Sequence, residues 1–236
     1  KVLEDSPYNN NQVVHKKINF IKMVDNLSVL LRSKDIWLLG IYAGISYSIT
    51  NVYGALWGVQ FLAKAHSLDL YTVTVASSLI YLGIGFMVPI LTWKFNGPSR
   101  ARRFYLIASP LLLVVCLCIV LYMPNISKHM IYWLNFLLGI LSSSLILSYT
   151  MVTEISPARA RNTSIGVINT LALGVSPIFQ SLIGFILEKQ TDHVSPTKLI
   201  EVYSVADYRW SLTVLPVLIL LGAVAAYYIS DKPIED

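Results

Sequence analysis

The chain has 236 residues, 55% of them apolar and 13% charged, with a net charge of +5. Its mean hydropathy is positive, which excludes a water-soluble globular domain, because so much apolar side chain cannot be hidden in a soluble core. The basic excess does not point to nucleic acid, since the Lys and Arg residues stand in short loops beside apolar runs rather than on one soluble face.

In chain order, residues 1–34 read as a cytoplasmic polar segment that ends in an amphipathic linker helix. The opening KVLEDSPYNNNQVVHKK is polar and shows no signal peptide. Its start at Lys1 rather than methionine leads us to expect a fragment or a processed piece. From Ile18 to Leu31 an apolar stripe of Phe20, Val24, Leu27 and Leu31 is rimmed by Lys16, Lys17, Lys22, Arg32 and Lys34. That pattern suits a helix lying in the headgroup plane, with a linker helix packed on protein as the alternative.

Residues 35–236 read as a six-helix transmembrane domain. A span needs about 20 consecutive apolar residues to cross roughly 30 Å of hydrocarbon. Such runs are Ile36 to Ala63, Leu70 to Trp93, Phe104 to Tyr122, Met130 to Thr153, Thr163 to Leu187 and Trp210 to Ser230. With both ends cytoplasmic, Lys64, Lys128, Lys189, Lys198 and Arg209 fall outside and the remaining Lys and Arg inside, which is the positive-inside pattern. Cys116 and Cys118 stand two residues apart on one helix and point in different directions, so they read as small apolar residues rather than a disulfide.

The spans differ in polarity. The third and sixth are nearly featureless and suit helices that mainly touch lipid. In the first, Tyr42, Ser46, Thr50, Tyr53, Trp57 and Gln60 recur at steps of three and four and share a face. In the fourth, Asn135, Ser142 and Tyr149 share one; in the fifth, Asn169, Ser176 and Gln180 do, beside Pro177. Amides facing lipid would cost several kcal/mol, so these stripes face protein or water. Helix-to-helix hydrogen bonds and a water-filled path both meet that demand. The first-span stripe is longer than one contact requires, which favours the path there. All twelve residues are therefore candidates for a substrate cavity.

The segment EISPARARNTSIGVINTLALGVSPIFQSLIGFILE resembles the short cytoplasmic loop and eleventh helix of the major facilitator superfamily (MFS), through Pro157, Arg159, Arg161, Gly166, Asn169, Gly174, Gln180 and Gly184. GIGFMVPILTWKFNGPSRARR is similar to the family's signature loop at Gly83, Gly85, Pro89, Arg100, Arg102 and Arg103, with Asn96 where an acidic residue is usual. NVYGALWGVQFLAK closes the first span as the seventh helix closes in many bacterial members. The resemblance covers about Asp35 to Asp231. It implies an all-α integral membrane fold of six helices in two inverted three-helix repeats, helices seven to twelve of the whole, whose partner is a missing N-terminal six-helix half. It also makes Asn96, Arg100, Arg102, Arg103, Glu154, Arg159 and Arg161 candidates for conformational loops, in which the loop arginines near Glu154 either form a salt bridge in one state and lose it in another or simply carry inside-positive charge.

The function so implied is secondary active transport of a small solute by alternating access, with a possible coupling ion, in a bacterial inner membrane. The alternative is a non-transporting membrane receptor or an assembly subunit. A membrane-embedded enzyme is not expected, since no Asp, Glu, His, Lys or Arg falls well within a span. Neither metal nor cofactor is expected, because His15, His66, His129 and His193 all stand in loops.

Overall fold

A computed structural model describes residues 20–95, 97, 99–190, 203–230 and 232–234, with side chains from Val24 onward. Residues 1–19 of the expected polar segment and Asn96 of the signature loop lie outside the described residues. Among the described residues, helices at Leu70–Lys94, Arg100–Tyr122, Lys128–Ile155, Arg161–Gln190 and Val205–Tyr228 are long and apolar enough to cross a bilayer. One more crossing runs without interruption through an α-helix at Lys34–Ser48, a π-helix at Ile49–Trp57 and an α-helix at Gly58–Ala65. In chain order these are spans 1 to 6, the three-piece run being span 1.

Side-chain caps explain where several spans begin. Asp69 accepts from the Thr72 amide at 3.3 Å and the Thr72 hydroxyl at 2.6 Å, opening span 2. Ser99 and Ser127 accept from the amides of Arg102 and Met130, opening spans 3 and 4. Ser204 and Asp207 form a reciprocal capping box at the head of span 6. Each cap satisfies amides that the first helical turn would otherwise leave bare.

Packing follows an approximate two-fold rule. Span 1 lies mainly against span 5, and span 4 against span 2; span 6 packs on span 1 as span 3 packs on span 4, while spans 3 and 6 pack on each other. Exchanging spans 1 to 3 with 4 to 6 maps each of these contacts onto another or onto itself. This is the arrangement of two inverted three-helix repeats that the sequence resemblance led us to expect.

The span 2 to span 4 contact depends on two glycines. A Cβ on Gly139 would fall on the Ile80 carbonyl, and one on Gly83 would meet the Phe136 carbonyl and lie 2.9 Å from the Ile140 amide. Both obstacles are backbone, so a side chain there forces the helices apart. Gly139→Ala is expected to destabilise the protein by about 1–3 kcal/mol, the usual cost of overpacking. Thermal unfolding in detergent checks it, and an unchanged midpoint would show the contact to be slack.

The N-terminal helix, Phe20–Arg32, buries Leu30 completely beside Ile36 and Leu39, while Val24, Leu27 and Leu31 of the expected stripe stay exposed. Asn26 donates to the Arg159 carbonyl at 3.1 Å and Asp25 lies 3.7 Å from the Arg159 guanidinium. The helix is thus pinned to the loop before span 5, with an apolar edge left outward. The residues after span 6 close the same end: the Ser230 amide donates to Asp35 at 2.9 Å and the Ile234 amide to the Ile155 carbonyl at 2.7 Å.

At the opposite end of span 1, His66 packs edge-on against Phe61. Burial lowers its pKa from the ordinary histidine value, Arg209 lowers it further, and a hydrogen bond with the Val120 backbone opposes them. A lowered folded-state pKa means that the unfolded chain takes up the proton first. Stability is therefore complete above the unfolded value, near 6.5, and declines as pH falls through it toward the folded pKa. His66→Gln is expected to flatten this acid-side decline in a series of melting curves at pH values from about 5 to 8.

Candidate functional site

Spans 1 and 4, the first helices of the two repeats, both lose regular α-helical geometry in mid-course. Span 1 widens into the π-helix at Ile49–Trp57. Span 4 breaks at Ser143 and Ser144 between helices ending at Ser142 and starting at Leu145. The span 4 break has a local cause, since the hydroxyls of Ser142 and Ser143 bond back to the carbonyls of Gly139 and Ile140 at 3.1 and 2.6 Å. No proline lies in the π-helix. Its Asn51 carbonyl accepts the Gln180 amide at 3.1 Å, and the Trp57 indole donates to the Gln180 carbonyl at 3.3 Å. Irregular helix of this kind concentrates at functional sites.

The structure divides the twelve cavity candidates. Tyr42, Ser46, Thr50, Tyr53, Asn135, Ser142 and Ser176 are buried between the helices of this half. The Tyr42 hydroxyl lies 2.8 Å from the Ser144 hydroxyl, 3.1 Å from the Leu106 carbonyl and 3.3 Å from the Ser109 hydroxyl, so it ties span 1 to spans 3 and 4. Asn135 donates to the carbonyl of Ile131 within its own helix at 2.8 Å. In this structure neighbouring helices cover all seven. The physical reason is that steps of three and four select a face but do not say which neighbour covers it.

Trp57, Gln60, Tyr149 and Gln180 are half-buried and Asn169 is exposed. Gln60 accepts from the Tyr208 hydroxyl at 3.2 Å, which commits it to span 6. Tyr149 donates to the Asn169 side chain at 3.1 Å, joining spans 4 and 5 on the open side of the half. Two residues beyond the sequence candidates join them there. Tyr47 of span 1 is half-buried, Tyr81 of span 2 is 49% exposed, and the Tyr47 phenol is close enough to those of Tyr81 and Tyr149 to interact electrostatically. Tyr47 and Tyr81 escaped the sequence reading because neither belongs to a repeated polar stripe. A possible signal was their matched position, each thirteen residues from the end of its span, Tyr47 after Lys34 and Tyr81 before Lys94. At 1.5 Å per residue that is about 20 Å along the helix axis.

At the end of the half where the chain's two described termini meet, Arg102 and Glu154 pair across spans 3 and 4, the guanidinium Nη1 lying 2.7 and 3.0 Å from the two carboxylate oxygens. Arg103 donates to the Tyr227 carbonyl at 2.9 Å, at the end of span 6, while Arg100 and Arg161 are exposed. The sequence reading set Glu154 beside the arginines of the following loop; the structure gives it Arg102 and turns Arg159 toward the N-terminal helix.

No family model matches the chain, and no curated protein matches it in sequence. Among solved structures it is similar to a bacterial homolog of the human lysosomal transporter Spinster. In the inward-facing, occupied conformation the TM-score is 0.60 at 16% identity, covering 84% of this chain and 49% of that one. In the inward-facing, unoccupied conformation it is 0.59 at 18% identity, covering 90% and 51%. The chain thus spans about half the length of these structures, and what it shares with them is the fold of one six-helix half.

Proposed function

We propose that this chain works as the C-terminal half of a secondary transporter that moves a small solute across a membrane by alternating access. The observation that carries the reading is the open face on which spans 1, 2, 4 and 5 present Tyr47, Tyr81, Tyr149 and Asn169 beside two irregular helices. A polar face on a membrane half needs a partner surface, and a second six-helix half facing it would enclose a cavity near the midplane. The shared fold with a bacterial homolog of the human lysosomal transporter Spinster supports this reading, as does the half-length match. In this reading the Arg102 to Glu154 end faces the cytoplasm, the membrane is a bacterial inner membrane, and Gln180 and Trp57 flank the cavity's outer part. The ion-coupling group would be supplied by the other half, since the charged residues of the described spans sit at their ends.

Flux measurements test the proposal. The full-length protein in proteoliposomes is expected to give saturable solute uptake, and the 236-residue chain alone none. Saturable flux through the monomeric chain would refute the half-transporter reading.

A further inference from the structure

The open face has a chemical character that narrows the solute. It carries three phenols and one amide, drawn from four different spans: Tyr47, Tyr81, Tyr149 and Asn169. The Asn169 carbonyl oxygen is taken by the Tyr149 hydroxyl, which holds that ring against span 5. Tyr81 is 49% exposed and Tyr47 half-buried, so both rings are available from the open side.

Charge is kept away from this patch. The basic residues nearest in sequence, Lys34, Lys94, Arg159 and Arg161, lie at span ends or in the loop before span 5, and Glu154 is committed to Arg102. Among the described residues the patch itself gives an anionic solute no counter-charge, and burying an unpaired anion is costly. Aromatic rings present negative π faces, and a cation over such a face gains about 0.5–2 kcal/mol, the more so where water is excluded. A compact, strongly hydrated ammonium would lose too much hydration for that return. A cation shielded by carbon keeps little hydration to lose.

We propose that Tyr47, Tyr81, Tyr149 and Asn169 form a binding patch for an organic cation with an apolar shell, of the tertiary or quaternary ammonium class. The proposal rests on the transport reading above, because the patch becomes a pocket only when a second half covers it.

The test uses membrane vesicles carrying the full-length protein and two probes of nearly identical shape, choline and its uncharged carbon analogue 3,3-dimethylbutan-1-ol. Choline is expected to bind about three- to tenfold more tightly than the neutral analogue. Tyr47→Leu and Tyr81→Leu should each erase most of that preference, whereas Tyr47→Phe and Tyr81→Phe, which keep the ring, should retain it and show that folding is intact. In parallel, Asn169→Cys is labelled with a charged thiol reagent to report whether the face is wet. Fast labelling with equal or undetectable binding of the two probes would leave the cavity standing and overturn the cation assignment. Slow labelling would overturn both.

Discussion

Glu154→Ala is expected to destabilise the protein by about 3 kcal/mol, the largest effect of any single substitution considered. Arg102 is 1% exposed and Glu154 27% exposed. Removing the carboxylate takes an ion-pair partner from a buried guanidinium, and breaking a buried pair from one side costs about 3–5 kcal/mol. The partial exposure of Glu154 puts the loss at the lower end of that range, because solvent already screens some of the attraction. The double variant Arg102→Leu with Glu154→Leu should recover a good part of the loss, since it removes both charges together. Chemical unfolding of the four proteins in detergent completes the cycle. Strictly additive losses would mean that the two residues act separately and that the pair does not hold spans 3 and 4 together.

Single cysteines on spans 1, 4 and 5 should separate into two classes after Cys116 and Cys118 are replaced by Ala. In vesicles carrying the full-length protein, Tyr47→Cys and Asn169→Cys are expected to react with a charged, water-soluble thiol reagent at least about tenfold faster than Ser46→Cys and Ser176→Cys. Ser46 and Ser176 are buried, and a buried thiol stays protonated and unreactive. Serine to cysteine is a small change, so slow reaction at those two positions reports burial rather than damage. Ser46 and Tyr47 are neighbours in the chain, so depth along span 1 is nearly constant and only the face differs. Faster reaction at Ser46→Cys would return the water path to the buried stripe and remove the open face from the site.

Much of this architecture was legible in the sequence. All six charge-free runs are helices, with ends within a few residues of those expected, because 20 or so apolar residues in lipid have no other way to satisfy their backbone. The caps at Asp69 and Ser99 went unread, and span 3 starts at Arg100, behind Ser99, rather than at the expected Phe104. The resemblance placed arginines and Glu154 at one end of the bundle, but the choice of Arg102 over Arg159 depends on span 3 meeting span 4, which no local pattern encodes.

Composition and periodicity determined that this is a six-span membrane protein with polar residues gathered on particular helix faces. Only the tertiary structure decided which of those faces are covered. Tyr42, Ser46, Thr50 and Tyr53 repeat as regularly as a channel lining would, yet neighbouring spans bury them. Tyr47 and Tyr81 carry no repeat and stand on the open side. A helical sequence sets the angle at which each side chain leaves its own axis, whereas the neighbour at that angle is set by how close two backbones approach, and here that turns on glycines such as Gly83 and Gly139 against the other helix's backbone.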